Sequence, residues 1–210
     1  LIDEAGLEVK VFADTETNAY QTEIKENRKA LFSDQDAIQT NYENNLKKPL
    51  RLLLCGSVGE GTQLAAEFLL KAGMLAGLNA TKKGSYPVTV GVGFSAAEII
   101  LSPEEILYTG SPDPDVVCVT SQDGLDYARN TIRNMSAGQL LIDSSLEIPD
   151  TKAEVFAFPF REKVGVRNSS IYSIFYYLKN SGVIPIDALV DVFNDNKISN
   201  KLNVAKMLEF

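Results

Sequence analysis

Leu50-Arg51-Leu52-Leu53-Leu54-Cys55-Gly56-Ser57-Val58-Gly59-Glu60-Gly61-Thr62 is an apolar run, a glycine-rich turn, and the entry to a second apolar pattern. The run from Leu50 to Cys55 is short and almost continuously apolar, as a strand buried on both faces must be. It stops at Gly56. Beyond the turn, Leu64, Ala65, Phe68, Leu69, Ala72, Leu75 and Ala76 recur at the 3.6-residue spacing that lines one face of a helix. Gly77 stands where a residue of left-handed conformation closes such a helix. Strand, glycine turn and helix in succession are the opening unit of an α/β domain.

Working outward from this unit, the same alternation repeats. Phe94 to Leu101 reads as a strand, Val116 to Val119 as a buried strand after the turn-rich Gly110-Ser111-Pro112-Asp113-Pro114, and Leu125 to Met135 as a helix. Leu140-Leu141-Ile142 predicts a strand stopping at Asp143, and Val155 to Phe158 another. Asn168 suits the cap of a helix over Ser169 to Lys179 that Gly182 ends, and Pro185 suits the first position of a last helix, Ile186 to Phe193. The expected fold is therefore α/β over residues 49–210: a three-layer Rossmann-like domain with a mostly parallel sheet and helices on both faces.

Upstream the character changes. Leu7-Glu8-Val9-Lys10-Val11-Phe12 alternates in period two, and a polar, asparagine-rich stretch from Asp14 to Lys48 follows, with room for a helix between about Tyr20 and Leu31. Residues 1–48 read as an N-terminal arm or linker, either a solvated tail or an ordered arm packing on a neighbouring subunit. Leu1 in place of a methionine fits a chain excised from a longer product.

Composition excludes several chemistries. The chain has 210 residues and no histidine, so it lacks the commonest general base and metal ligand, and no Ser-His-Asp or Cys-His mechanism is open to it alone. Its two cysteines, Cys55 and Cys118, are too few for an iron–sulfur cluster or a structural zinc, and their apolar flanks predict buried reduced thiols. A net charge of −8 disfavours nucleic acid as a partner. No apolar stretch is long enough for a membrane span and the start has no signal-peptide pattern, so the expected location is the cytoplasm.

The glycine turn is the most suggestive local feature. A helix N-terminus presents unpaired N–H groups and partial positive charge, and glycines let an anionic group approach the backbone. Gly56, Ser57, Gly59, Glu60, Gly61 and Thr62 are thus candidate cofactor-binding residues. The spacing is G-x-x-G-x-G rather than G-x-G-x-x-G, and Asn79-Ala80-Thr81-Lys82-Lys83 carries no acid for ribose hydroxyls, so plain NAD is disfavoured. Gly56 and Gly61 have P-loop spacing, but Thr62 stands where the phosphate-binding lysine belongs. Glu60 would repel a bound phosphate unless it points away. Lys82 and Lys83 would offset it if both projected toward the same crevice; otherwise they sit in a solvated loop.

The order of segments carries a resemblance. After the glycine loop come Gly84-Ser85-Tyr86-Pro87-Val88-Thr89-Val90-Gly91-Val92-Gly93-Phe94-Ser95, then Asp113-Pro114-Asp115-Val116-Val117-Cys118-Val119-Thr120-Ser121-Gln122. Ala137-Gly138-Gln139-Leu140-Leu141-Ile142-Asp143-Ser144-Ser145, Arg167-Asn168-Ser169 and Ile184-Pro185-Ile186-Asp187-Ala188-Leu189 follow, and Asn203-Val204-Ala205 closes the succession. Over roughly residues 50–208 this resembles the γ subunit or domain of the 2-oxoacid:ferredoxin oxidoreductases, which act on pyruvate and related acids. The resemblance implies a component of a multi-subunit enzyme that oxidatively decarboxylates a 2-oxoacid. It implies thiamine diphosphate, iron–sulfur clusters and coenzyme A in the holoenzyme, none held by this chain alone. Its partners would be thiamine-binding and ferredoxin-like subunits or domains. Residues 1–48 lie outside this match; their strand followed by a polar arm resembles the tail of a preceding thiamine-binding domain, as an alternative to an arm or linker. The resemblance also adds Ser85 and Tyr86 to the candidate site, beside the coenzyme A.

The loop departs from the family's G-x-G-G-Q-G: Val58 replaces a glycine and Glu60 the glutamine. The arginine of the family's Tyr-Gly…Arg-Gly-Gly segment is absent from Tyr86-Pro87 and Gly91-Val92-Gly93. The residues by themselves leave two alternatives open, a free-standing Rossmann-like nucleotide- or CoA-binding protein and a structural interaction subunit. On the γ reading the isolated chain is inactive. Little room for a Cβ at Gly59 is expected to make Gly59→Val more harmful than Cys118→Ser.

Overall fold

The computed structural model describes residues 38–87, 91–110, 113–195 and 204–209. Alternation along β1 (Leu50–Ser57) builds two cores at once. Leu50, Leu52 and Leu54 face one side, Leu53 and Cys55 the other, and all are buried. A strand apolar on both faces belongs in the middle of a sheet, and β1 is there. It pairs antiparallel with β3 (Phe94–Ser102), Leu52 opposite Ile99, and parallel with β4 (Val116–Val119), Leu54 opposite Cys118. With β2 (Asn79–Ser85), β5 (Gln139–Asp143) and β6 (Glu154–Phe158) the order is β2-β3-β1-β4-β5-β6. The β4–β5 and β5–β6 pairs are parallel, and β2 is antiparallel to β3. β3 is therefore the one strand of the six that runs against the others, and the carboxyl ends of the other five lie along one edge. The α/β, mostly parallel architecture expected from the sequence is found.

Helices cover both faces. On one side α1 (Thr62–Leu75) packs with α3 (Phe160–Val164), α4 (Ser169–Ser181) and α5 (Ile186–Asn194). Phe68 of α1 meets Phe193 of α5 edge-on at 5.9 Å between ring centroids, and Phe175 of α4 meets the same ring at 5.6 Å. The other side is covered by α2 (Gln122–Asn134), through Leu125, Ala128 and Ile132. A last short helix, α6 (Val204–Met207), buries Met207 in the first core.

Local chemistry sets the helix ends. Gly77, at φ 76°, closes α1, where the N–H of Leu78 reaches back to the carbonyl of Gly73 at 2.9 Å. Gly182, at φ 60°, closes α4. The second helix starts at Gln122, ahead of its first apolar residue, because Ser121 accepts a hydrogen bond from the N–H of Gly124 and caps it. Asn168 precedes α4 but does not cap it; its side-chain amide donates to the carbonyl of Val164. Pro185 stands one place before α5 rather than inside it.

Ahead of β1, polar side chains run across the end of α1. The N–H groups of Asn41 and Tyr42 donate to the carbonyl of Leu75, the Asn44 amide to that of Ala76 at 2.8 Å, and the Asn45 N–H to that of Val183. The Tyr42 hydroxyl donates to Asp191, and that bond raises the phenol's pKa to about 12. The strand expected at Leu7–Phe12 and the helix between about Tyr20 and Leu31 lie outside the described residues.

Candidate functional site at the carboxyl end of the sheet

A parallel sheet delivers the residues just past its strands to a common edge, where α/β proteins bind their ligands. Here that edge carries Ser57 at the end of β1, Ser85 at the end of β2, Thr120 after β4 and Asp143 at the end of β5. All eight residues singled out from the sequence stand at this edge, in two groups.

The first group is the glycine loop. Gly59 and Gly61 have φ of 90° and 80°, the left-handed region that only glycine enters without strain, and Gly61 is the residue from which α1 starts. Gly56 is a close-approach position. A Cβ on it would come within 2.8 Å of Thr62 Oγ1, Glu60 Oε2 and Thr120 Oγ1. Gly59 is the opposite case: nothing lies within 4 Å of a Cβ built there. The expectation of little room at Gly59 is therefore corrected. Its requirement for glycine comes from backbone conformation, and the loop is open to solvent at that point.

Glu60 turns inward. The residue is 1% exposed. Its Oε2 accepts from Thr120 Oγ1 at 2.8 Å and from the Ser57 N–H at 3.2 Å, while Oε1 faces Arg161 Nη2 at 3.3 Å. Burial raises its pKa, opposed by the Thr120 and Ser57 hydrogen bonds and by the nearby guanidinium. The carboxylate thus leaves the outer side of the loop free of its charge, the condition under which an anion can approach. Thr62 Oγ1 and Ser170 Oγ share a hydrogen bond of 3.0 Å, and Thr120 Oγ1 and Ser170 Oγ one of 3.2 Å. A buried hydroxyl chain therefore ties the loop to β4 and α4. Ser57 Oγ donates outward, to Asp123 Oδ2 at 2.7 Å.

The second group, Ser85 and Tyr86, ends β2 at the edge of the sheet, with β3 between it and the loop. Gln63 of α1 spans the gap, donating to the Ala96 carbonyl at 2.8 Å and to Ser95 Oγ. Its Oε1 and the Tyr86 hydroxyl both crowd the side of Gly84 on which a Cβ would sit. Tyr86 is 60% exposed, a free aromatic surface at the rim.

Lys82 and Lys83 do not share a crevice, and they do not sit in a loop. They are neighbours on β2, so they project to opposite faces. Lys82 pairs with Glu67 of α1 at 3.1 Å, and Lys83 with Glu98 on the other face at 3.2 Å. Neither helps the glycine loop. Thr120, Asp143, Arg161 and Ser170, which build the floor of the site, were not visible as site residues in the sequence. Position just past a buried strand was a usable signal for Thr120 and Asp143; none existed for Arg161.

Cys55 and Cys118 are both free and buried, and burial pushes the Cys118 thiol to about 12. A cavity of about 580 Å³ opens on the face opposite α1, lined by Lys83, Glu98, Tyr108 and Tyr127 among others, and contains none of the eight candidate residues. Among the described residues no group of acidic or cysteine side chains is placed to hold a metal ion, and no helix is long and apolar enough to cross a membrane.

Comparison with known proteins agrees with this fold. Residues 51–201 match the family model described as pyruvate ferredoxin/flavodoxin oxidoreductase. The structure is similar to the 2-oxoglutarate:ferredoxin oxidoreductase of Magnetococcus marinus, solved with 2-oxoglutarate, coenzyme A and succinyl-CoA bound. The TM-score is 0.67 at 20% identity, over 78% of this chain and 30% of that one. It is also similar to the γ subunit of a keto/oxoacid ferredoxin oxidoreductase from Geobacter sulfurreducens, with TM-score 0.61 and 21% identity over 75% and 94% of the two chains. The pyruvate oxidoreductase subunit PORC of Thermotoga maritima gives TM-score 0.58 and 16% identity over 77% and 90%. This chain thus spans under a third of the Magnetococcus chain and nearly all of the two separate subunits. No curated protein sequence matches it.

Proposed function

The chain belongs to the pyruvate ferredoxin/flavodoxin oxidoreductase family, and from that we propose that it is the γ component of a multi-subunit enzyme that oxidatively decarboxylates a 2-oxoacid. In this reading the carboxyl edge of its sheet forms one wall of the holoenzyme's site, on the coenzyme A side. Thiamine diphosphate and iron–sulfur clusters reside on companion subunits or domains. Two cysteines and no histidine agree with that division of labour.

The observation that carries the reading is the glycine loop. Gly59 and Gly61 hold it in a conformation that exposes backbone at the start of α1, and Glu60 is turned inside. An anionic group fits this arrangement: the first turn of a helix leaves N–H groups unpaired and carries partial positive charge, and nothing lies within 4 Å of a Cβ built on Gly59. Gly56, Ser57, Gly59, Gly61 and Thr62 would form the cradle, Glu60 would brace it from below, and Ser85 and Tyr86 would border it. Coenzyme A, when bound, supplies the thiol that accepts the acyl group. Positioning that ligand and excluding water from it is the part left to this chain.

Reconstitution tests the reading. The chain is combined with its co-purifying subunits, and CoA-dependent turnover is measured for the wild type, Gly59→Val and Cys118→Ser. Gly59→Val is expected to lower turnover by about tenfold or more, because valine is strained at φ 90° and fills the open side of the loop. Cys118→Ser should change it far less. Equal effects would count against a ligand at the loop.

A further inference from the structure

Resting on the reading of the glycine loop as an anion cradle, we propose that Arg161 is its charge-recognising residue, and that Glu60 is an internal counter-ion that holds Arg161 ready and competes with the ligand for it. The two lysines that the sequence offered for this role are diverted to Glu67 and Glu98. The structure supplies a different cation. Asp143, 2% exposed at the carboxyl end of β5, accepts a hydrogen bond from the backbone N–H of Arg161 at 2.8 Å. That bond fixes the start of α3 at the end of β5. The guanidinium is thereby delivered to the loop, 3.3 Å from Glu60 and 35% exposed.

The pair is incomplete in a way that points to a third participant. Glu60 Oε2 is satisfied by Thr120 and Ser57, but Glu60 Oε1 and Arg161 Nε are both buried without a hydrogen-bond partner. Arginine and carboxylate interact best through two parallel N–H···O bonds, and here there is one long contact. Glu60 meets the guanidinium through Nη2 alone, and the Arg161 side chain is 35% exposed at the loop. A phosphate group could take up the donors that Glu60 leaves. An arginine here also restores the bidentate phosphate partner that is absent from the segment after Tyr86, from a different element of the fold.

The two partners make opposite predictions, which separates recognition from mere structural support. Arg161→Gln removes the cation and should weaken coenzyme A binding about tenfold or more, with partial recovery in Arg161→Lys. Glu60→Gln retains an oxygen for Thr120 and Ser57 but removes the competing charge, so it should tighten binding about threefold or more. The double variant should lose that gain. Titration calorimetry on the enzyme assembled with its companion subunits measures all of these, with pantetheine, which has no phosphate, as the second ligand. Pantetheine affinity should be the same in every variant.

If Glu60→Gln weakens coenzyme A binding, or if Arg161→Gln weakens pantetheine and coenzyme A alike, the pair is structural and the proposal is overturned. It is overturned too if Gly59→Val weakens coenzyme A binding while neither charge variant does; the cradle reading then survives without it. No heat with coenzyme A in the wild-type assembly removes the cradle reading and the proposal together.

Discussion

Glu60 is a carboxylate taken almost wholly out of water, 1% exposed. Its ordinary pKa of 4.5 is raised by that burial, so between 4.5 and the raised value the native chain binds more protons here than the unfolded chain does. Stability from this group is therefore greatest at low pH and falls as pH rises through that window, levelling off once Glu60 is ionised in both states. Glu60→Gln, which cannot ionise, should lack this component. Thermal melts from pH 4 to 8 should show the variant gaining on the wild type as pH rises, and parallel curves would contradict the assignment. A second residue-scale expectation concerns Gly124, where α2 leans on β1. A Cβ there would lie 2.7 Å from the backbone carbonyl carbon of Cys55, an atom that cannot move without moving the sheet. Gly124→Ala should cost about 1–3 kcal/mol in denaturant unfolding, and a change below a few tenths would show that the helix simply shifts. The sequence announced the loop glycines and Thr62 plainly, because a glycine cluster between a strand and a helix has few uses. It was silent on Arg161, whose nearness to Glu60 depends on the pairing of β4, β5 and β6 and not on any local pattern.

At the level of elements, what was legible followed burial. Val116–Val119 is continuously apolar between turn signals, as a central strand is, and its limits agree with the structure. β2 carries no legible strand signal, because Asn79-Ala80-Thr81-Lys82-Lys83-Gly84-Ser85 is an edge strand, half exposed, whose hydrogen bonds to β3 demand no apolar alternation. Its lysines also discourage pairing with another chain's edge. The short helix α3 was missed for a related reason: five residues with two buried side chains, Phe160 and Val164, give too little periodicity to detect. The polar run before β1 shows how elements are finished by side chains. The four last carbonyls of a helix lack partners within it, and Asn44 answers the one on Ala76. Asn44→Ala should therefore lower stability by about 1 kcal/mol, measured as a shift in the denaturant midpoint with an unchanged slope. No shift would mean that water replaces the amide at no cost.

Taken as a whole, the molecule concentrates its polar chemistry at one end of a sheet whose five codirectional strands all finish there, and that end offers hydrogen bonds and charge but no redox group. There the Ser57 N–H, the Thr120 hydroxyl and Arg161 surround Glu60, and Asp143 holds the start of α3. None of them can carry an electron, and without histidine the chain has no group that ordinarily changes charge near neutral pH to shuttle the proton of a decarboxylation. The two thiols are buried, with pKa values driven upward, and are not placed to act as nucleophiles or cluster ligands. Tyr86 and Val92, 60% and 67% exposed, lie at the same end of the sheet as exposed apolar side chains among the described residues. On the proposed function, companion polypeptides supply the opposite side of the site. The purified chain, supplied with a 2-oxoacid, thiamine diphosphate and coenzyme A, is accordingly expected to leave a viologen dye oxidised. Dye reduction should begin when the companion subunits are added, and its rate should saturate as the chain is titrated to stoichiometry with them. Reduction by the chain alone, after rigorous removal of companions, would place the reactive groups within these 210 residues and refute the division of labour.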